Sequence, residues 1–228
     1  MLGQNLLSLF LLGSAVFPGF EPHLADIDFH AVTERALEAS EERGLADLHA
    51  RLASELSLGR LLDGYYVRRE LAVEAEPPGE VLGVAAGRVR PGSRRDAGGW
   101  ALERAHVHAG ACAVLSGVHP RTLYAEPSAA ELWAALHDEL EQLAAALEPH
   151  LAYSVLNLCR LAYSLRTGDV VVSKVRSADW ALRELPQQWR PLIEEALRLY
   201  RGGRGSLPRG EVDAFYRFVS DGYATETR

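Results

Sequence analysis

The stretch "LFLLGSAVFPGFEPHLADIDFHAV", residues 9–32, decides the fold. It begins as an apolar run, breaks at Gly13-Ser14, and ends in a second segment in which Asp26 and Asp28 alternate with apolar residues. Such alternation is typical of a strand. Because side chains at i and i+2 of a strand project to the same face, the sequence predicts two carboxylates side by side.

A carboxylate pair next to a turn of small residues suits phosphate chemistry. Asp26 and Asp28 offer the hard oxygen ligands that Mg²⁺ takes together with water and substrate phosphates. At Gly13-Ser14, backbone N–H groups and a hydroxyl can surround phosphate oxygens, and glycine lets the backbone approach closely. We therefore predict a site for a nucleoside triphosphate. The alternatives are an ordinary turn and solvated carboxylates at a strand edge.

Composition excludes some classes of function. The 228 residues include 24 Lys+Arg and 31 Asp+Glu, for a net charge of −7, which argues against binding nucleic acid through its phosphates. An acidic protein suits a small cationic substrate better. Cys112 and Cys159 lie far apart in apolar stretches, so we expect buried free thiols in a reducing compartment.

The apolar N-terminus raises the question of a targeting segment. There is no Lys or Arg before Arg35, and the apolar run is too short to cross a bilayer. We interpret it as a buried strand and expect a cytoplasmic protein that binds neither membrane nor nucleic acid and acts as a monomer.

The two halves of the chain differ in pattern, which predicts an α+β fold. In the first half we expect strands and one amphipathic helix that is either continuous or broken near Gly44: strands 5–12, 26–33, 60–71 and, more weakly, 81–89, and helix 34–57. Clusters of Pro, Gly and charge predict loops at 74–80 and 90–99. The second half predicts an up-and-down helical bundle with helices 129–149, 150–166, 174–185, 188–201 and 209–223.

Two parts of the chain resemble one family. A Gly-Ser turn followed about a dozen residues later by D-x-D on a strand resembles the nucleotidyltransferase superfamily with the polymerase-β-like fold, in the version of the aminoglycoside adenylyltransferases. Residues 153–202 resemble the C-terminal helical domain of the streptomycin/spectinomycin 3''-adenylyltransferases. The resemblance implies a nucleotidyltransferase domain over 1–125, a helical domain over 126–228, and Mg²⁺-dependent transfer of AMP from ATP to a hydroxyl of an aminoglycoside or aminocyclitol.

The resemblance also assigns roles in the first domain. Asp26 and Asp28 would hold Mg²⁺, and Gly13 and Ser14 would bind the phosphates. Asp63 falls where the family generally has a glutamate that takes the proton from the attacking hydroxyl. Two alternatives remain for Asp63: a third metal ligand, as in polymerases of this fold, or a turn residue in an Asp-Gly pair.

Three more residues carry roles that the resemblance implies. Lys174, the sole lysine of the chain, matches the family's triphosphate-binding lysine, and the N-terminus of a helix favours anions there as well. Tyr200 matches a tyrosine that faces the nucleotide, with a packed core residue as the alternative. Trp100 resembles a tryptophan near the substrate, with simple packing as the alternative. His106 and His108 share one face if their stretch is extended, and we interpret them as structural.

The chain departs from the family in two places. Glu141, Ala146 and His150 stand where the streptomycin enzymes present Trp and Asp to their antibiotic. We therefore expect an acceptor other than streptomycin: another aminoglycoside, spectinomycin, or an unrelated metabolite. Family members also have a helix before the first strand, whereas this chain begins almost at that strand. The rival hypotheses are an adenylyltransferase acting on protein and a catalytically silent ATP-binding regulator.

Overall fold

The computed structural model describes residues 1–18, 20, 25–92, 97–145 and 151–226. The chain divides into two compact units, Met1–Ser128 and Ala129–Arg228. Among the described residues, all strands belong to the first unit, and the second unit is helical. The prediction of an α+β fold with a mixed sheet followed by helices is confirmed.

The strands of the first unit form one mixed sheet. In chain order they are β1 Leu6–Leu12, β2 Ile27–Thr33, β3 Leu62–Arg68, β4 Val81–Ala85, β5 Arg88–Gly92 and β6 Ala113–Gly117. Their order in the sheet is β5-β4-β3-β2-β1-β6. β2 and β3 run parallel, and the other neighbouring pairs run antiparallel. The parallel pair needs a crossover connection, which the first long helix of the chain supplies.

The helices of the first unit are α1 Ala39–Glu55, the single turn α2 Arg69–Ala72, and α3 Ala97–His108. α1 runs unbroken through Gly44 and begins later than predicted. Glu38 and Glu41 form a capping box at its start, since the backbone N–H of Glu38 donates to the Glu41 carboxylate at 2.8 Å. Arg35 lies before the cap and pairs with the same Glu41 carboxylate at 2.9 Å.

Alternating strand residues divide the core of the first unit into two layers. On one side of the sheet, here called the α3 face, strand residues pack against α3: Phe10, Leu12, Val32 and Val67 with Trp100 and Val107. On the opposite side, the α1 face, strand residues pack against α1: Phe29, Ala31, Tyr66, Leu82 and Val84 with Leu45. The sheet is therefore covered on both sides, as its apolar strands require.

Two local predictions differ from the structure. Residues 81–89 form two strands rather than one, joined by a tight turn at Ala86-Gly87. The predicted loop 90–99 is wrong at both ends, since β5 extends to Gly92 and α3 begins at Ala97; residues 93–96 lie outside the described residues. His106 and His108 both lie on α3, so the extended conformation that would place them on one strand face does not occur.

The second unit is built around one buried helix. Its helices are α4 Ala129–Ala145, α5 Leu151–Thr167, α6 Lys174–Glu184, α7 Arg190–Tyr200 and α8 Arg209–Glu226. α5 packs against each of the other four, and its apolar residues form the centre. Cys159 on α5 is a buried free thiol whose pKa is raised by burial. Cys112 in the first unit is also free but only half-buried.

Candidate active site

The turn after β1 places a glycine directly against an aspartate. Gly13 opens a short 3₁₀ turn, Gly13–Val16, with a φ of +66° that favours glycine. A Cβ atom at this position would overlap Oδ2 of Asp28. Thus Gly13 is required both by its backbone conformation and by its approach to the Asp28 carboxylate, and the structure brings these two predicted site residues together.

Ser14 and Asp26 meet beside this contact. The Ser14 hydroxyl donates a hydrogen bond to the backbone carbonyl of Asp26 at 3.2 Å. Asp26 lies one residue before β2, with an exposed side chain, whereas Asp28 is inside β2 and half-buried. The hydrogen bond links the turn to the start of the strand, so four predicted site residues occupy one corner of the first unit.

Asp63 lies beside Asp28 across the parallel pair of strands. The register of β2 and β3 makes Asp28 and Asp63 direct Cα partners. Asp63 is followed by Gly64 within the strand, where a Cβ would overlap the carbonyl oxygen of Phe29. The alternative that Asp63 belongs to an Asp-Gly turn is therefore wrong. The two carboxylates approach through strand pairing, between residues 35 positions apart in the sequence.

Trp100 lies in the core of the α3 face. Its side chain is fully buried, and its indole N–H donates to the backbone carbonyl of Glu74 at 3.2 Å. Its ring stacks on that of His30, with 6.0 Å between centroids. Of the two alternatives for Trp100, this burial favours packing over contact with a substrate.

Lys174 and Tyr200 both belong to the helical unit. Lys174 is the first residue of α6, whose N-cap is Ser173, with its hydroxyl oxygen accepting from the backbone N–H of Arg176 at 3.1 Å. The ammonium of Lys174 lies 4.3 Å from the ring centroid of Tyr153, a cation–π contact. Tyr200 ends α7 and is 8 % exposed, as a packed core residue would be.

Comparison with known proteins identifies the family. A family model described as "Aminoglycoside adenylyltransferase, C-terminal domain" matches residues 123–221. An aminoglycoside (3'') (9) adenylyltransferase of Klebsiella pneumoniae is 30% identical over 96% of this chain and 86% of its own length. The Escherichia coli protein of the same name is 29% identical over the same shares. This chain belongs to the aminoglycoside adenylyltransferase family.

A solved structure shares the fold of this aminoglycoside adenylyltransferase family member. A crystal structure of spectinomycin adenyltransferase AAD(9) from Enterococcus faecialis, with ATP and spectinomycin, superposes with a TM-score of 0.75. The match covers 98% of this chain and 93% of the other at 17% sequence identity. At that identity the likeness shows a common fold.

The carboxylates of this family member fit a magnesium ion that takes part of its ligands from the protein and part from a substrate. Asp28 and Asp63 provide hard anionic oxygens on neighbouring strands, and Asp26 adds an exposed one nearby. Mg²⁺ is usually held in proteins by one or two carboxylates, with water and phosphate oxygens completing the octahedron. Within the described residues no group of three or more His, Cys, Asp or Glu forms a complete metal cage. The donor set thus suits a metal that arrives with a nucleotide.

A set of buried polar residues lies behind the carboxylates and was not predicted from the sequence. His30 is 2 % exposed, and its Nδ1 lies 3.0 Å from the Tyr124 hydroxyl. Its Nε2 lies 3.4 Å from the Glu103 carboxylate. Arg104, equally buried, donates to the backbone carbonyls of Ala75 and Ala125. A histidine and charged residues inside apolar segments were the only signal, because their partners come from distant parts of the chain.

Proposed function

We propose that this chain transfers AMP from ATP to a hydroxyl of an aminoglycoside or aminocyclitol antibiotic and releases pyrophosphate. Membership of the family supports the reaction class. The observation that carries the proposal is the contact of Gly13 with Asp28, together with the pairing of Asp28 and Asp63. It joins an anion-binding turn and two carboxylates, which phosphoryl chemistry requires at one place.

The residues of the first unit divide the work between proton transfer and phosphate binding. The acceptor oxygen attacks the α-phosphorus, the bond from that phosphorus to the bridging oxygen breaks, and pyrophosphate leaves with the electron pair. Asp63 takes the proton of the acceptor hydroxyl. Ser14 and the backbone N–H groups beside Gly13 bind phosphate oxygens. These groups act mainly through position and charge.

Asp26 and Asp28 would hold Mg²⁺, and Asp63 would be a third ligand if it is not the base. The ion, when bound, neutralises charge on the phosphates. Lys174 and Tyr200 bind the nucleotide in this proposal, as the resemblance implies. The N-terminus of α6 adds a partial positive charge beside Lys174.

The broader assignments follow the same proposal. Residues 1–125 form the nucleotidyltransferase domain and residues 126–228 the helical domain. The protein works as a cytoplasmic monomer with ATP and a small cationic antibiotic as its partners. Among the described residues, no helix is long and apolar enough to cross a membrane.

The test is pyrophosphate release by the purified protein with MgATP and a panel of aminocyclitols and aminoglycosides. We expect release that depends on one acceptor and falls at least about 100-fold in Asp28→Asn, because a neutral amide loses the charge that the site uses. Asp47→Asn, on the exposed side of α1, is the matched control and should retain full activity. Release that persists in Asp28→Asn, or that no acceptor stimulates, would contradict the proposal.

A further inference from the structure

The sole lysine of the chain lies over an aromatic ring in the helical unit. The ammonium of Lys174, at the first position of α6, is 4.3 Å from the ring centroid of Tyr153, in the first turn of α5. Tyr153 is 44 % exposed, unlike the buried residues that form the centre of this unit. Its ring therefore adds little to the core, and it presents a π surface to the lysine instead.

An extended connection brings the lysine to this ring. Residues 168–173 link the end of α5 to the start of α6, yet Lys174 contacts the first turn of α5. The connection therefore returns the chain along α5. Val170 and Val172 are buried in it, which holds the connection against the rest of the unit. The fold thus fixes the start of α6 beside Tyr153.

A ring beneath the ammonium changes what it costs to bind a phosphate. A lysine has a long and flexible side chain, and immobilising it on a ligand lowers the affinity because rotamer freedom is lost. A side chain that already lies on a ring has lost part of this freedom before the ligand arrives. The ammonium has three N–H donors, and those that point away from the ring can still donate to phosphate oxygens. This argument rests on the proposed function, in which Lys174 binds the triphosphate.

We propose that Tyr153 is a positioning residue: its ring holds the Lys174 ammonium in the orientation that binds the triphosphate, and it acts on the nucleotide only through that lysine. The π face of the ring attracts the cation, so the phenolic hydroxyl is not needed. The competing explanation is that the exposed ring stacks directly on the base of the nucleotide. Two measurements separate these roles, one on the lysine and one on nucleotide affinity.

The first measurement is the NMR resonance of the lysine side chain. Because Lys174 is the only lysine, protein labelled at lysine Cε with an NMR-active carbon isotope gives a single ε-methylene signal. In wild type the ring current of Tyr153 should move this signal upfield of its position in the urea-unfolded protein. Tyr153→Leu should abolish the upfield shift, and Tyr153→Phe should keep it. Tyr216→Leu is the matched control, since Tyr216 is a half-buried tyrosine on α8 of the same unit, and it should leave the shift unchanged.

The second measurement is the dissociation constant of α,β-methylene-ATP in the presence of Mg²⁺. Tyr153→Leu should raise it about two- to fivefold, the factor that corresponds to a cation–π contact at an exposed site. Tyr153→Phe and Tyr216→Leu should bind as wild type does. In a Lys174→Met background, Tyr153→Leu should raise the constant no further, because no ammonium is left to position.

The outcomes distinguish this proposal from the proposed function. If Lys174→Met weakens binding and Tyr153→Leu does not, the positioning role is overturned and the proposed function stands. Equal losses in Tyr153→Leu with and without Lys174 would show that the ring contacts the nucleotide itself, which also overturns the positioning role. If Lys174→Met binds as tightly as wild type, both the positioning role and the triphosphate role of Lys174 are wrong. Pyrophosphate release that no acceptor stimulates would contradict the proposed function alone.

Discussion

Two buried histidines lie on opposite sides of the same sheet. Each is hydrogen-bonded to a tyrosine hydroxyl, at nearly equal distances. His30, on the α3 face, lies 3.0 Å from the Tyr124 hydroxyl, and His49, on the α1 face, lies 2.9 Å from that of Tyr66. They differ in what else they meet. His30 approaches the Glu103 carboxylate at 3.4 Å, whereas His49 stacks on Phe29 with 5.7 Å between ring centroids.

The difference between the two histidines indicates that the two faces of the sheet have different roles, one in stabilising the fold and one in the reaction. Around His49, burial lowers the pKa of the imidazole and raises the pKa of Tyr66 to about 12, so both side chains stay neutral. The α3 face carries the carboxylate of Glu103 and, on the strands, those of Asp28 and Asp63. Charged groups are costly to bury, and they persist where polar partners or function compensate. We infer that the α1 face mainly packs the core, and we call it the packing face. The α3 face carries the candidate catalytic groups, and we call it the working face.

The largest expected effect comes from the carboxylate that belongs to the working face. Asp63→Asn should lower kcat by about 10²–10⁴-fold, because an amide cannot accept the proton. Asp63→Glu should retain most of the activity, because it restores the family's usual residue. Stopped assays of pyrophosphate release across pH would measure both variants beside Asp47→Asn, which lies on α1.

The pH profile of these variants separates the two alternatives for Asp63. A base gives an acidic limb in kcat that disappears in Asp63→Asn, whereas a metal ligand gives a raised Mg²⁺ requirement instead. Full activity in Asp63→Asn would contradict the assignment of the reaction to the working face.

The same residues show which parts of the fold and of the candidate site can be predicted from the sequence. D-x-D after a Gly-Ser turn is a local pattern, so Asp26, Asp28 and the α+β fold could be predicted from residues close in the chain. The contact of His30 with Glu103 and the pairing of Asp28 with Asp63 depend on contacts between distant segments. Local patterns do not encode that register.

A second comparison of the two faces concerns their large core residues. Trp100→Ala on the α3 face should lower the free energy of unfolding by about 3–5 kcal/mol, and Leu45→Ala on the α1 face by about 2–5 kcal/mol, since both leave cavities. Urea denaturation measures each. If Trp100 only packs, neither variant changes the KM of the acceptor at a temperature where it remains folded.

Trp100→Phe is the milder variant in case the alanine does not fold. It keeps an aromatic ring on His30 while losing the hydrogen bond to Glu74. A large rise in acceptor KM without loss of stability, in this variant but not in Leu45→Ala, would show that Trp100 contacts the substrate.

The smallest expected effect is a pH dependence confined to the packing face. Because burial lowers the pKa of His49 below 6.5, the unfolded chain binds a proton there more readily than the folded one. Its contribution to stability is complete above about pH 6.5 and is lost as the pH falls below that value, by at most about 1.4 kcal/mol per pH unit. His49→Gln, which can still hydrogen-bond the Tyr66 hydroxyl, should flatten this part of the stability curve. Urea unfolding measures the stability of wild type and of the variant between about pH 5 and pH 8. The difference between the two curves removes the contributions of the other titrating groups. Equal slopes would mean that His49 binds its proton as readily in the folded state, and the α1 face would then not be the neutral packing layer that its contacts indicate.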